Sequence, residues 1–198
     1  MGLAVSQGFQ NEPLEASSSF RVLLDAMSRP GTIHSLPVEM QSFDSMNKGT
    51  MLSILTLADH ESPVWLDEET NTDDVQNFVR FHCSAPLVRE KSKAMFAVFA
   101  EMPNENELAD FSIGTSDYPD ASVTLIIQVE NLSNEAGVTL SGPGIKSKIQ
   151  LKADGVDGGF WAWVKRNNAR FPLGIDVILT TDKALTALPR SVQVMELV

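Results

Sequence analysis

The sequence predicts an α/β protein in which helices flank a central mixed sheet as a three-layer sandwich. Three observations lead there. Helical apolar stripes alternate with short β-branched runs along the whole chain. The strand-like runs are apolar on both faces, as in Ile175, Val177, Ile178 and Leu179, which fits strands covered on two sides rather than one. The 198 residues are 43% hydrophobic and 21% charged, the make-up of an ordinary globular chain long enough to bury a sizeable core. No internal repeat or low-complexity tract divides it, so residues 1–198 are expected to form a single domain.

Each element follows in order. A helix is expected to start near Pro13, with Phe20, Leu23, Leu24 and Met27 as its buried stripe, and to stop at Ser28-Arg29-Pro30-Gly31. Thr32 to Val38 alternates loosely and predicts a strand. Met51, Leu52, Ile54, Leu55, Leu57 and Ala58 predict a strongly buried helix over Thr50 to Ala58, and Pro63 to Leu66 a short strand. Beyond the polar loop Asp67 to Asp74, Thr72 or Asp73 can cap a helix carrying Val75, Phe78, Val79 and His82, which Pro86 closes. Ala94 to Ala100 predicts a strand, Asn104 to Phe111 a short helix and Ser122 to Val129 a strong strand, with Gly114 to Asp120 as the loop before it. Val138 to Leu140 leads into a tight bend at Gly142-Pro143-Gly144. Phe160 to Asn168 predicts a helix, and Ile175 to Thr180, Ala184 to Leu188 and Ser191 to Leu197 predict strands.

Charge and cysteine content exclude several functions. A formal net charge of −11 opposes nucleic-acid binding, which needs clustered Lys and Arg, although a small basic pocket can still take a small anion. Cys83 is the sole cysteine, so the chain alone can form no internal disulfide, no CxxC pair and no cysteine-ligated cluster. No run approaches the roughly 18 to 20 apolar residues that span a bilayer, and no signal-peptide pattern opens the chain, so a cytoplasmic protein without an anchor is expected.

Few residues carry chemistry. Gly142-Pro-Gly-Ile-Lys-Ser resembles the start of a phosphate loop but lacks the GxxxxGK[ST] spacing, and a structural turn is the default. No GxSxG, HExxH or EF-hand pattern occurs, and no metal site is expected. Arg80 and His82, near a helix C-terminus, form one candidate anion site, against the alternative of a solvated arginine and a capping histidine. Asp176 is a carboxylate set in an apolar strand, where it must be paired, hydrogen-bonded or protonated. Arg190 lies where the chain passes between two strands and can reach it bidentately, either as a structural pair or to orient a ligand. Cys83 is expected to be a small buried hydrophobe, and Phe160, Trp161 and Trp163 to be packing residues.

Six segments taken together carry a resemblance. They are AMSRPG (Ala26–Gly31), LTLADHESPVWL (Leu55–Leu66), RFHCSAPL (Arg80–Leu87), GTSDYPDASVTLIIQV (Gly114–Val129), SGPGI (Ser141–Ile145) and FPLGIDVIL (Phe171–Leu179). In this order, from about Phe20 to Val194, they closely resemble the PhnH family, the H subunit of the bacterial carbon-phosphorus lyase core complex. The resemblance implies a homodimer that joins the G, I and J subunits. It also implies that this assembly couples ATP to an alkylphosphonate, displacing adenine to give ribose 1-alkylphosphonate 5-triphosphate. The implied fold is that of pyridoxal-phosphate-dependent transferases without the cofactor site, so no cofactor is expected. In agreement, Lys91, Lys93, Lys146 and Lys148 sit in no recognisable Schiff-base context. The resemblance carries no catalytic residue over, and Cys83 stands where the family pattern has threonine. Two readings follow: a noncatalytic subunit that organises the complex, or a subunit that itself grips phosphate or ribose through Arg80, His82, Asp176 and Arg190.

Overall fold

The computed structural model describes residues 7–196. In chain order the elements are α1 (Glu12–Ser28), β1 (His34–Ser35), α2 (Lys48–Leu57), β2 (Val64–Leu66), α3 (Asp73–Cys83), β3 (Phe96–Phe99), α4 (Glu105–Leu108), β4 (Thr124–Gln128), β5 (Leu132–Ser141), β6 (Ile149–Ala153), α5 (Gly158–Asn168), β7 (Asp176–Thr180), β8 (Ala184–Leu188) and β9 (Gln193–Glu196). Six strands form a mixed sheet in the order β1-β8-β7-β4-β3-β2. β2, β3, β4 and β7 are mutually parallel, and β8 and β1 close one side antiparallel. The α/β class and the mixed central sheet match the expectation from the sequence.

Successive strand residues divide between two apolar cores, one per face. Leu125 and Ile127 of β4, with Val177 and Leu179 of β7, enter one cluster, whereas Ile126 and Ile178 enter the other. This alternation is the period-2 geometry of a strand covered on both sides. The second cluster is closed by Leu23 and Ala26 of α1, Met51, Leu52 and Ile54 of α2, and Val75, Phe78 and Val79 of α3. The first is closed by α4, α5 and an element the sequence did not predict, a three-stranded antiparallel sheet in the order β6-β5-β9. Leu140, Leu151 and Val194 from that sheet fill the cluster together with Phe160, Trp161, Trp163 and Val164 of α5. One outer layer is therefore helical, and the other combines helix and sheet.

Several expectations need correction. Helix α1 buries Ser19, Leu23 and Ala26, leaving Phe20 and Leu24 about half exposed. The small side chains set the contact face, and the larger ones flank it. Only His34 and Ser35 of the stretch Thr32 to Val38 form a ladder, against Leu185 and Ala184, and Pro37 beyond them has no N–H with which to extend it. Val138 to Leu140, which leads into the bend at Gly142, is the end of a long strand that runs from Leu132, with a bulge between Ser133 and Val138. Within that bulge Gly137 has φ +102°, and a Cβ there would stand 2.2 Å from the Leu151 carbonyl oxygen. The helix expected over Asn104 to Phe111 is a single turn, Glu105–Leu108, closed by a reciprocal Asn104–Glu107 capping box. The last strand ends at Glu196, and Leu197 lies outside the described residues.

Candidate functional site

Strands β3, β4 and β7 point their carboxyl ends to one side, and the loops that follow them wall a cleft of about 500 Å³. In open α/β sheets this is the side on which ligands bind. The cleft here is acidic: Asp44, Glu101, Glu130, Asp154 and Asp182 all line it, and neither Lys nor Arg does. The N-terminus of α2 opens beside it, but the chain's own groups already use its donors. Lys48 N–H donates to Asp182 Oδ1 (3.0 Å), Asn47 N–H to Gln128 Oε1 and Thr50 N–H to Asn47 Oδ1 (2.8 Å). The hydrogen bond from Lys152 holds the Asp154 carboxyl below the usual carboxylate range. A polyphosphate would meet like charge throughout this cleft. Among the described residues no group of three or more His, Cys, Asp or Glu is arranged to hold a metal ion.

The sequence-predicted site residues lie elsewhere, in three separate places. Asp176 is the first residue of β7 rather than a residue inside it, so it sits at the sheet end opposite the cleft. Arg190 meets it bidentately, Nη2 donating to Oδ2 at 2.6 Å and Nε to Oδ1 at 3.1 Å, and the Arg190 backbone N–H adds a third bond at 2.7 Å. The remaining guanidinium donors reach the Pro119 carbonyl and Ser122 Oγ, both at 2.5 Å. Both side chains are 14% exposed. Every hydrogen-bonding nitrogen of Arg190 is committed within the protein, so the pair ties the loop before β4 to the start of β7 and the end of β8.

Arg80 and His82 diverge because two residues on a helix are about 200° apart around its axis. Arg80 is exposed and borders a 440 Å³ pocket on the outer edge of β2. His82 lies half-buried against the rings of Phe78 and Phe81, at centroid distances of 4.8 and 5.0 Å, and beside Gly8. The structure therefore brings neither Arg80 and His82 together nor either of them together with Asp176 and Arg190. Cys83 is buried with its Sγ toward the Ile54 carbonyl, and desolvation pushes its thiol up to about 12. A thiol so reluctant to ionise suits the packing role and opposes a nucleophilic one.

The glycine-rich turn is structural. Gly144 has φ +83°, and a Cβ there would overlap the Ser28 carbonyl oxygen at 2.0 Å, so the turn packs directly on the end of α1. Sequence reasoning missed Asn167, which is buried in α5. Its Oδ1 accepts from Ile175 N–H (2.9 Å) and its Nδ2 donates to Ile175 O (2.8 Å), so it pins the helix to the entry of β7. It also missed Arg89, which shares the pocket with Arg80. The only available signal was a second arginine shortly after Pro86.

Comparison with known proteins agrees with the resemblance. The chain is 34% identical over 186 residues to the alpha-D-ribose 1-methylphosphonate 5-triphosphate synthase subunit PhnH of Rhizobium meliloti (strain 1021), covering 94% of this chain and 93% of that protein. It is 25% identical over 183 residues to the putative C-P lyase subunit protein HtxG of Stutzerimonas stutzeri, covering 89% and 84%. The family described as bacterial phosphonate metabolism protein (PhnH) matches residues 7–195, and the chain belongs to that family.

Proposed function

We propose that the chain is a noncatalytic or ligand-positioning subunit of a carbon-phosphorus lyase core complex. In this role it supports formation of alpha-D-ribose 1-methylphosphonate 5-triphosphate from ATP and methylphosphonate. The observation that carries the reading is the 34% identity, over nearly the full length of both chains, to a synthase subunit of that description. The site chemistry supports the subunit role. Asp176 and Arg190 satisfy each other, Cys83 is a buried thiol with a raised pKa, and the cleft at the carboxyl ends of the sheet is lined by carboxylates and by neither Lys nor Arg. None of them offers the pair of groups that general acid–base or nucleophilic catalysis requires.

The proposal includes a homodimer, assembly with the G, I and J subunits, a cytoplasmic location and kinship with pyridoxal-phosphate-dependent transferases without their cofactor. The half-exposed Phe20 and Leu24 and the exposed Leu14 on α1 supply apolar surface of the kind that subunit contacts cover. The parallel run β2-β3-β4-β7 supports the kinship, and no lysine lines the cleft at its carboxyl ends. Copurification with tagged G, I and J subunits is the test. Retention with at least one of them through size-exclusion chromatography is expected, and failure to associate with all three would refute the assembly.

A further inference from the structure

The outer edge of β2 is only partly paired. Asp67 N–H donates to Val98 O and Phe96 N–H to Pro63 O, so the odd-numbered residues of this strand face β3. Val64 therefore faces outward, and there it bonds the segment after Pro86: its N–H donates to Pro86 O (2.8 Å) and its C=O accepts from Val88 N–H (2.9 Å). Leu66, two residues on, turns its backbone N–H to the same side, but the pairing does not continue to it. From here the two segments part, and the 440 Å³ pocket lies between them.

The rest of the lining has one electrostatic sign. Arg80 comes from the last turn of α3, Arg89 from the segment beyond Val88, and Gln76 and Asn71 contribute amides, joined by a Gln76 Nε2 to Asn71 Oδ1 bond of 2.9 Å. No carboxylate lines the pocket. Of the acids nearby in sequence, Asp67 accepts from Thr70 and from Ala100 N–H and Glu90 pairs with Lys93 at 2.8 Å, while Asp73 and Asp74 are exposed in the first turn of α3 and do not line the pocket. Neither Arg80 nor Arg89 makes an ion pair or side-chain hydrogen bond with another described residue. In a chain with a net charge of −11, two unpaired guanidiniums around one acid-free pocket have an evident counterpart.

We propose that this pocket binds the phosphoryl or phosphonate group of a small molecule. Arg80 and Arg89 would neutralise a dianion, and the Leu66 N–H and the amides of Asn71 and Gln76 would complete its hydrogen bonding. Guanidinium forks match phosphoryl oxygens bidentately, and a backbone donor fixes orientation where flexible arginines alone do not. The inference rests on the pocket itself and is independent of assembly with partner subunits.

The full chain at low ionic strength tests it, with methylphosphonate, pyrophosphate and ATP as calorimetric probes and dianionic succinate as a carboxylate control. Saturable binding of at least one phosphorus-bearing probe is expected, together with a shift of the Leu66 amide resonance on titration. Arg80→Gln and Arg89→Gln should each weaken binding about tenfold or more, the loss of one charge-assisted interaction, and the double variant should abolish it. Arg21→Gln, an exposed arginine on α1, should bind as the parent chain does, and circular dichroism verifies that every variant is folded. Absence of binding by the parent chain, undiminished affinity in the folded double variant, or stronger binding of succinate than of any phosphorus-bearing probe would each overturn the proposal.

Discussion

At the scale of single residues, the chemistry is decided by who satisfies whom. Asp176 and Arg190 are both largely buried, so removing one partner strands the other charge and costs about 3–5 kcal/mol. Arg190→Met should lower stability to denaturant by about that amount, with Pro119 O and Ser122 Oγ losing their donors as well. The double variant Asp176→Leu/Arg190→Met should recover much of the loss, because no charge is left unpaired. A loss in the double variant equal to the sum of the two single-variant losses would show that the pair carries no coupling. Cys83 makes a second prediction. Its thiol is raised from 9.0 to about 12 in the fold, so the folded state favours the protonated form. This contribution is fully present below pH 9 and is lost as pH rises from 9 toward 12. At pH 8 iodoacetamide should modify the native chain only as fast as it opens, and rapid labelling without unfolding would contradict the burial. The sequence displayed this much: a lone cysteine with no base beside it, and a carboxylate in an apolar run with an arginine downstream. It did not display Pro119 and Ser122 as the other recipients of Arg190, because they come from a loop about 70 residues away in the chain.

At the scale of elements, legibility follows locality. The cap of α3 could be read from Thr72, whose hydroxyl accepts from Val75 N–H (3.3 Å), and the β7 strand from its β-branched run. β6 was overlooked although Leu151 and Ala153 alternate with Gln150 and Lys152, because the run is only five residues long and its pairing with β5 is interrupted by the bulge between Ser133 and Val138. Arg80 and His82 looked like partners in sequence, whereas the helix sends them apart and the chain reversal after Pro86 brings Arg89 to Arg80 instead. Asn167 was illegible for the same reason, since an asparagine in a helix gives no sign that its amide will serve a strand entry. It satisfies both backbone groups of Ile175 in a buried setting, so Asn167→Ala should cost about 2–3 kcal/mol in unfolding free energy. Asn167→Asp keeps the acceptor for Ile175 N–H and loses the donor to Ile175 O. A protonated carboxyl regains an O–H donor, so the deficit of the Asp variant should shrink in acid while that of the Ala variant does not. Equal pH profiles for the two variants would show that the hydrogen bond to Ile175 O contributes little.

At the scale of the whole molecule, the central sheet joins two cores whose contents differ in spectroscopic character. Trp161 and Trp163 lie in the core beneath the second sheet, and Trp65 packs against the same core, so all three tryptophans report one face. Helices α1, α2 and α3, of 17, 10 and 11 residues, cover the other face and supply most of the helical ellipticity. The two faces are coupled because alternate residues of the same strands fill both cores: Leu125 and Ile127 on one side, Ile126 on the other. Opening either core exposes apolar side chains on strands that the other core needs in register. The chain is therefore expected to behave as a single cooperative domain over residues 1–198, with tryptophan fluorescence and far-ultraviolet circular dichroism giving superimposable urea transitions. Ile126→Ala sharpens the test. It deletes a fully buried side chain on the helical side, touching no tryptophan cluster, and should cost about 2–5 kcal/mol. If the molecule is one unit, the fluorescence midpoint must fall as far as the ellipticity midpoint. A fluorescence transition that stays in place while the ellipticity transition moves would mean that the α5 and second-sheet side folds independently of the helices across the sheet.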